Sequence, residues 1–138
     1  MSADEANARA TPLILLVEDQ VLTREMLAEA LEEAGFSTLV TGDARSAAHL
    51  FEEHVGKIRA LVTDIDLDDG MNGWDLARAA RERASDLPVV YVSGASAQEW
   101  ASRGVPNSLM VTKPFAPAQL FVAISSLLVA SDTTGASG

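Results

Sequence analysis

From Leu13 onward, short continuous apolar runs alternate with longer stretches whose apolar residues recur at helical spacing. Leu13 to Val17 is apolar throughout and too short for a buried helix, so it predicts a buried strand. Leu22, Met26 and Ala30, with the offset row Leu27, Leu31 and Ala34, have the spacing of a helix, and Gly35 follows as its C-cap. Phe36 to Thr41 reads as a second strand. Asp43 can cap a helix to about His54, with Ala47, Leu50 and Phe51 turned inward. Ile58 to Ile65 holds a third strand, followed by a loop from Asp66 to Asn72 and a helix from Trp74 to Ala84. Pro88 to Val92 and Ser108 to Thr112 read as the fourth and fifth strands. Between them lies a short, poorly apolar helix from Ala97 to Arg103, and Pro117 to Val129 is the last amphipathic helix. Residues 1–10 and 131–138 are small and polar and are expected to be disordered tails around one domain, residues 11–130.

Five strands alternating with five helices predict an α/β fold, a doubly wound parallel sheet covered on both faces. Ligands of such sheets bind beyond the carboxyl ends of the strands, where the strand order reverses. The residues just after the apolar strand runs are Glu18–Asp19, Asp64, Ser93 and Lys113. Each alone has a bland reading: helix-start acids, a capping Asp, a turn serine, a solvated lysine. Together they bring three carboxylates and one ammonium to one edge of the sheet. Carboxylates that close repel unless a cation joins them, and a hard divalent ion with oxygen ligands is the natural partner.

Composition narrows the possibilities. At 138 residues the chain has room for one ordinary domain. Cys is absent, which removes disulfides, thiolate catalysis and Cys-based zinc sites together. The net charge of −10 disfavours nucleic acid, whose phosphates call for Lys and Arg. The first ten residues are acidic where a signal peptide needs a basic start. The longest apolar stretch, Leu120 to Ala130, is interrupted by Ser125 and Ser126 and is too short for a membrane span. A cytoplasmic protein is therefore expected, with no membrane partner. His49 and His54 fall in the second helix, away from the strand ends, and read as ordinary helix residues.

The set Glu18–Asp19, Asp64, Ser93 and Lys113–Pro114 resembles the signature of bacterial response-regulator receiver domains, over about residues 11–130. The resemblance implies a flavodoxin-like topology and a phosphorylation switch in a two-component system or phosphorelay. Asp64 would accept a phosphoryl group from a phosphohistidine on a sensor histidine kinase or histidine phosphotransfer protein. Asp19 would ligate Mg²⁺ and Glu18 help to hold it, with Asp64 and the backbone carbonyl of Asp66 in the same shell. Ser93 would hydrogen-bond the phosphoryl group, Lys113 would pair with one of its oxygens, and the Lys113–Pro114 peptide would be cis. The protein would be no enzyme beyond its own phosphoryl transfer and autodephosphorylation. Attack by a carboxylate on phosphorus does need chiefly positioning and charge neutralisation, which this set of residues offers.

The sequence also departs from the family pattern. The family's aromatic switch residue three before the lysine is Met110 here. That side chain is either a differently routed relay or plain packing. The loop after Asp64 runs Asp66-Leu67-Asp68-Asp69-Gly70-Met71-Asn72-Gly73, without the usual proline and with one more residue. Its added carboxylates could tighten Mg²⁺ binding or repel the phosphoryl group. Asp66 and Ala95 would flank the path by which water removes that group.

Two other readings compete. Asp64-Ile65-Asp66 resembles the nucleophile motif of haloacid-dehalogenase-type phosphatases, although that motif normally lies on the first strand. Asp64, Asp66, Asp68 and Asp75 approach the spacing of a Ca²⁺-binding EF-hand loop, but Asp69 replaces the required Gly and a strand precedes instead of a helix. With few residues after the last helix, output is expected to be non-covalent, through a downstream protein docking on the region Ala97 to Val129. A monomer or weak dimer is expected, either free-standing or cut from a hybrid kinase. Trp100 in that region is a partner contact or a half-buried anchor.

Overall fold

The computed structural model describes residues 11–67 and 70–137, with side chains as far as Ala130. The N-terminal tail expected over 1–10, and Asp68 and Asp69 of the acidic loop, lie outside the described residues. Five strands, β1 (Leu13–Val17), β2 (Ser37–Thr41), β3 (Ile58–Asp64), β4 (Val89–Ser93) and β5 (Ser108–Thr112), form one sheet. Helices α1 (Val21–Glu33), α2 (Ala44–Glu53) and α3 (Gly73–Arg83) follow the first three strands. A 3₁₀ turn at Ala97–Glu99 leads into the short α4 (Trp100–Arg103), and α5 (Pro117–Ser137) comes last.

Every strand pairing is parallel, in the order β2-β1-β3-β4-β5. The order reverses at β1, so the crevice beyond β1 and β3 is the switch point at which such sheets bind ligands. The period-two alternation of strand side chains sorts them into two cores. Leu15, Val17, Leu61 and Tyr91 face α2 and α3, packing with Ala47, Phe51, Trp74 and Leu76. Ile14, Leu16, Val62 and Val90 face α1 and α5, packing with Leu27, Leu31, Leu120 and Ile124. Burial on both sides is why the strand runs read as continuously apolar.

The helix boundaries have local causes. Asp43 caps α2 by accepting from the Ser46 N–H at 2.7 Å, and Asn72 caps α3 by accepting from Asp75 N at 2.9 Å. Gly35, at φ 101°, takes the left-handed conformation that ends α1. Two helices differ in detail from what their sequence pattern suggests. In α1 the row Leu27–Leu31 is buried, whereas Leu22 and Met26 are 82% and 51% exposed. Only one stripe of a helix can face a flat sheet, and the apolar pattern there was wider than that stripe. The last helix also passes its expected end at Val129 and runs through the polar segment 131–137. No proline stops it there, and Ser and Thr lower helix propensity only slightly.

Candidate functional site

The fold carries the strand-end residues to one crevice. Glu18 directly follows β1, Asp64 ends β3, Ser93 ends β4 and Lys113 directly follows β5. The Lys113 ammonium donates to Asp64 Oδ2 at 3.0 Å and to Glu18 Oε1 at 3.1 Å, so one cation joins two carboxylates from different strands. Carboxylate oxygens of Glu18, Asp19 and Asp64 all lie within 4.8 Å of one another. Glu18 is 1% exposed and Asp64 7%, while Asp19 is half-buried at the mouth. The Lys113–Pro114 peptide is cis.

Burial pushes the Glu18 carboxyl above its ordinary pKa, with the Asp64 charge adding to the rise, against the bonds from Gln20 N–H and Lys113. Burial opposes the Lys113 charge, but its bonds to Asp64 and Glu18 and their two charges outweigh that and hold the ammonium above its usual value. Three carboxylates and one ammonium would leave the crevice two charges negative if all were ionised. A divalent cation balances that set, and Mg²⁺ typically takes one or two carboxylates alongside phosphate oxygens and water. The donor set therefore fits such an ion.

Other residues hold this set in place. Arg24, on the first turn of α1, donates to the Glu18 carbonyl at 3.0 Å, and Gly42 leaves room for its guanidinium. The Glu18 N–H bonds to Thr41 O at 3.0 Å and Lys113 N–H to Ser93 O at 2.9 Å, which ties the loop bases to the sheet. Gly73 lies so close behind Asp64 that a Cβ there would press on the Asp64 carbonyl oxygen and, at 2.9 Å, on the Ile65 Cα. Asp66 N–H points at Asp64 Oδ1 at 3.3 Å. Ser93 is buried, and its hydroxyl oxygen accepts from Ser96 N–H at 3.0 Å. The Ser96 hydroxyl in turn reaches Asp66 Oδ1 at 3.3 Å, across the two loops that flank Asp64. Ala95 is exposed beside it and fills none of the opening.

Met110 is half-buried in β5, in register with Tyr91 of β4 and packed against the core on the α2–α3 side. An aromatic side chain, Tyr91, stands beside it on the neighbouring strand. Tyr91 is fully buried, stacks on Trp74 at 4.6 Å, and accepts from Val105 N–H at 3.0 Å. Sequence reasoning did not single out Arg24, Ser96 or Tyr91. Ser96, three residues beyond Ser93, was the most accessible of them, since a hydroxyl at that spacing commonly closes a local turn. Asp75, weighed as a Ca²⁺ ligand, lies on α3, where its carboxylate pairs with Arg78 at 3.0 Å and stands apart from the Glu18–Asp19–Asp64 group. His49 pairs with Glu53, and His54 bonds to Leu50 O within α2, as ordinary helix residues do.

Comparison with known proteins agrees with this architecture. Residues 14–125 match the family model described as the response regulator receiver domain. The chain is 32% identical over 120 residues to the response regulator receiver protein CpdR of Brucella abortus, covering 86% of this chain and 98% of that protein. It is 31% identical over 117 residues to the transcriptional regulatory protein CusR of Escherichia coli, covering 83% of this chain but 50% of CusR. The chain therefore spans about half the length of such transcriptional regulators. A crystal structure of a response regulator receiver protein from Sinorhizobium medicae superposes with a TM-score of 0.84 at 38% identity, covering 88% of this chain and 97% of that one. The family match spans most of the sequence, and its sheet order places Asp64 at the switch point: the chain belongs to the response-regulator receiver family of two-component signalling.

Proposed function

We propose that this protein is a phosphorylation switch whose acceptor is Asp64 and whose phosphoryl donor is a phosphohistidine on a sensor histidine kinase or phosphotransfer protein. The observation that carries this reading is the Lys113 ammonium bridging Asp64 and Glu18, with Asp19 completing a tight acidic group. An oxygen of the Asp64 carboxylate attacks the phosphorus, the phosphorus–nitrogen bond breaks, and the histidine leaves with the electron pair. Lys113 already contacts Asp64 and is placed to neutralise charge on the arriving phosphoryl oxygens. Ser93 supplies a hydroxyl hydrogen for one of those oxygens. Glu18, Asp19, Asp64 and the Asp66 carbonyl would hold Mg²⁺, which when bound supplies further charge neutralisation at the phosphoryl group. On this reading the protein catalyses only its own phosphorylation and dephosphorylation.

The test is incubation with Mg²⁺ and acetyl phosphate, followed by intact-protein mass measurement. One hydroxylamine-sensitive phosphoryl group is expected on the wild type, and none on Asp64→Asn or after the metal is chelated. Uptake by Asp64→Asn equal to that of the wild type would remove Asp64 from the role. The output is read as a protein partner docking on the region Ala97 to Val129.

A further inference from the structure

Between the acceptor and the loop after β4 runs a short chain of hydrogen bonds. Asp66 N–H points at Asp64 Oδ1 at 3.3 Å, Asp66 Oδ1 accepts from the Ser96 hydroxyl at 3.3 Å, and Ser96 N–H donates to Ser93 Oγ at 3.0 Å. Ser96 is the one residue of this chain that grips both sides. Its backbone fixes the oxygen of Ser93 and leaves that hydroxyl's hydrogen free. Its own hydroxyl fixes the carboxylate of Asp66. Asp66 is exposed and Ser96 half-buried, so the bond lies where solvent meets the site.

The Asp66 carboxylate has an electrostatic reason to leave. The Asp66 N–H lies 3.3 Å from Asp64 Oδ1, so its carboxylate is near the Asp64 charge, and like charges at short range repel. The Ser96 hydroxyl supplies the hydrogen bond that offsets this repulsion and keeps the carboxylate across the mouth. One oxygen, Oδ2, then remains available to accept a hydrogen bond from a water. Ala95, the exposed small residue beside Ser96, leaves space for that water to approach.

We propose that Ser96 is a positioning residue for loss of the phosphoryl group, acting by holding Asp66 where it orients the attacking water. This rests on the reading of Asp64 as the acceptor. The water oxygen forms a bond to phosphorus as the bond from phosphorus to the Asp64 oxygen breaks. The electron pair returns to the Asp64 carboxylate, and inorganic phosphate and a proton pass to solvent. Without the Ser96 hydroxyl, Asp66 swings outward, the water loses its partner, and the phosphorylated form lasts longer.

The experiment measures the half-life of the phosphorylated full-length protein, after loading with acetyl phosphate and Mg²⁺ and removing the donor. Ser96→Ala should lengthen it by about 2- to 10-fold, the range expected for one hydrogen bond. Ser96→Thr, which keeps a hydroxyl, should restore the wild-type half-life. In an Asp66→Ala background, Ser96→Ala should have no further effect, because the group it positions is gone. An unchanged or shortened half-life in Ser96→Ala overturns the proposal, as does an equal effect in the Asp66→Ala background. A wild type that takes up no phosphoryl group would instead refute the acceptor reading, so the two failures are distinguishable.

Discussion

At the scale of single residues, Gly73 shows how tightly Asp64 is built in. It is the first residue of α3, and its N–H bonds to Ile65 O at 2.8 Å. An added Cβ would meet the Asp64 carbonyl and the Ile65 Cα, both backbone, so neither can yield by turning a side chain. Gly73→Ala is therefore expected to destabilise the fold by about 1–3 kcal/mol, the usual range for overpacking. The gain in helix propensity from Gly to Ala, at most about 1 kcal/mol and smaller at a helix end, offsets only part of this. Chemical denaturation would show a lower midpoint at unchanged slope, and an unaltered midpoint would mean that α3 can pull back freely. The same displacement should slow loading of Asp64, which is carried by the backbone that Gly73 presses on.

At the scale of elements, α4 is the loosest part of the fold and depends on a few polar ties. It is four residues long, and neither it nor the 3₁₀ turn before it buries a side chain fully. Trp100 Nε1 donates to Ser108 Oγ at 2.9 Å, and the Ser108 hydroxyl donates to Val105 O at 2.6 Å. Val105 N–H donates to the Tyr91 hydroxyl at 3.0 Å, so a continuous chain anchors α4 to β4 and β5. Trp100, weighed as partner contact or anchor, is held by its bond to Ser108 with 36% of its surface still exposed. Tyr91→Phe keeps the stacking on Trp74 but orphans the Val105 N–H, which should cost about 1–3 kcal/mol. Burial also raises the Tyr91 pKa, partly countered by the bond from Val105. A phenol whose folded pKa lies above its unfolded value, about 10, contributes stability that is complete below that value. That contribution is lost as pH rises through the folded pKa. Denaturation from neutral to alkaline pH should show the wild type losing stability above about pH 10 more steeply than Tyr91→Phe. Equal slopes would mean that the phenol ionises as readily in the folded protein as in the unfolded chain. None of this was legible from Met110 in the sequence, because its cross-strand neighbour Tyr91 is 19 positions away and only the β4–β5 register joins them.

At the scale of the whole molecule, the sequence carried the fold class and the acidic crevice for one physical reason. Strands buried on both faces leave unbroken apolar runs, and the first polar residue after each run marks where the chain leaves the sheet. Glu18, Asp64, Ser93 and Lys113 were legible as those exits, whereas Arg24, Gly42 and Ser96 were not, because their partners lie across loops. The sheet order also grades stability outward from the site. Strands β1, β3 and β4 have neighbours on both sides and nearly every residue buried, while β2 at one edge has no fully buried residue. Asp64 therefore stands at the end of a well-buried central strand, whereas α4 buries no side chain fully. The buried strands have little room to move, so displacement after a charge change at Asp64 is expected in the loops at their ends and in α4. Native-state hydrogen exchange should find the slowest amides in β1, β3 and β4 and fast ones in Ala97–Arg103. Phosphorylation should change exchange in Ala97–Arg103 while leaving the central strands within error. If protection changed mainly in β1 and β3, the displacement would run through the sheet and the grading drawn from burial would be wrong.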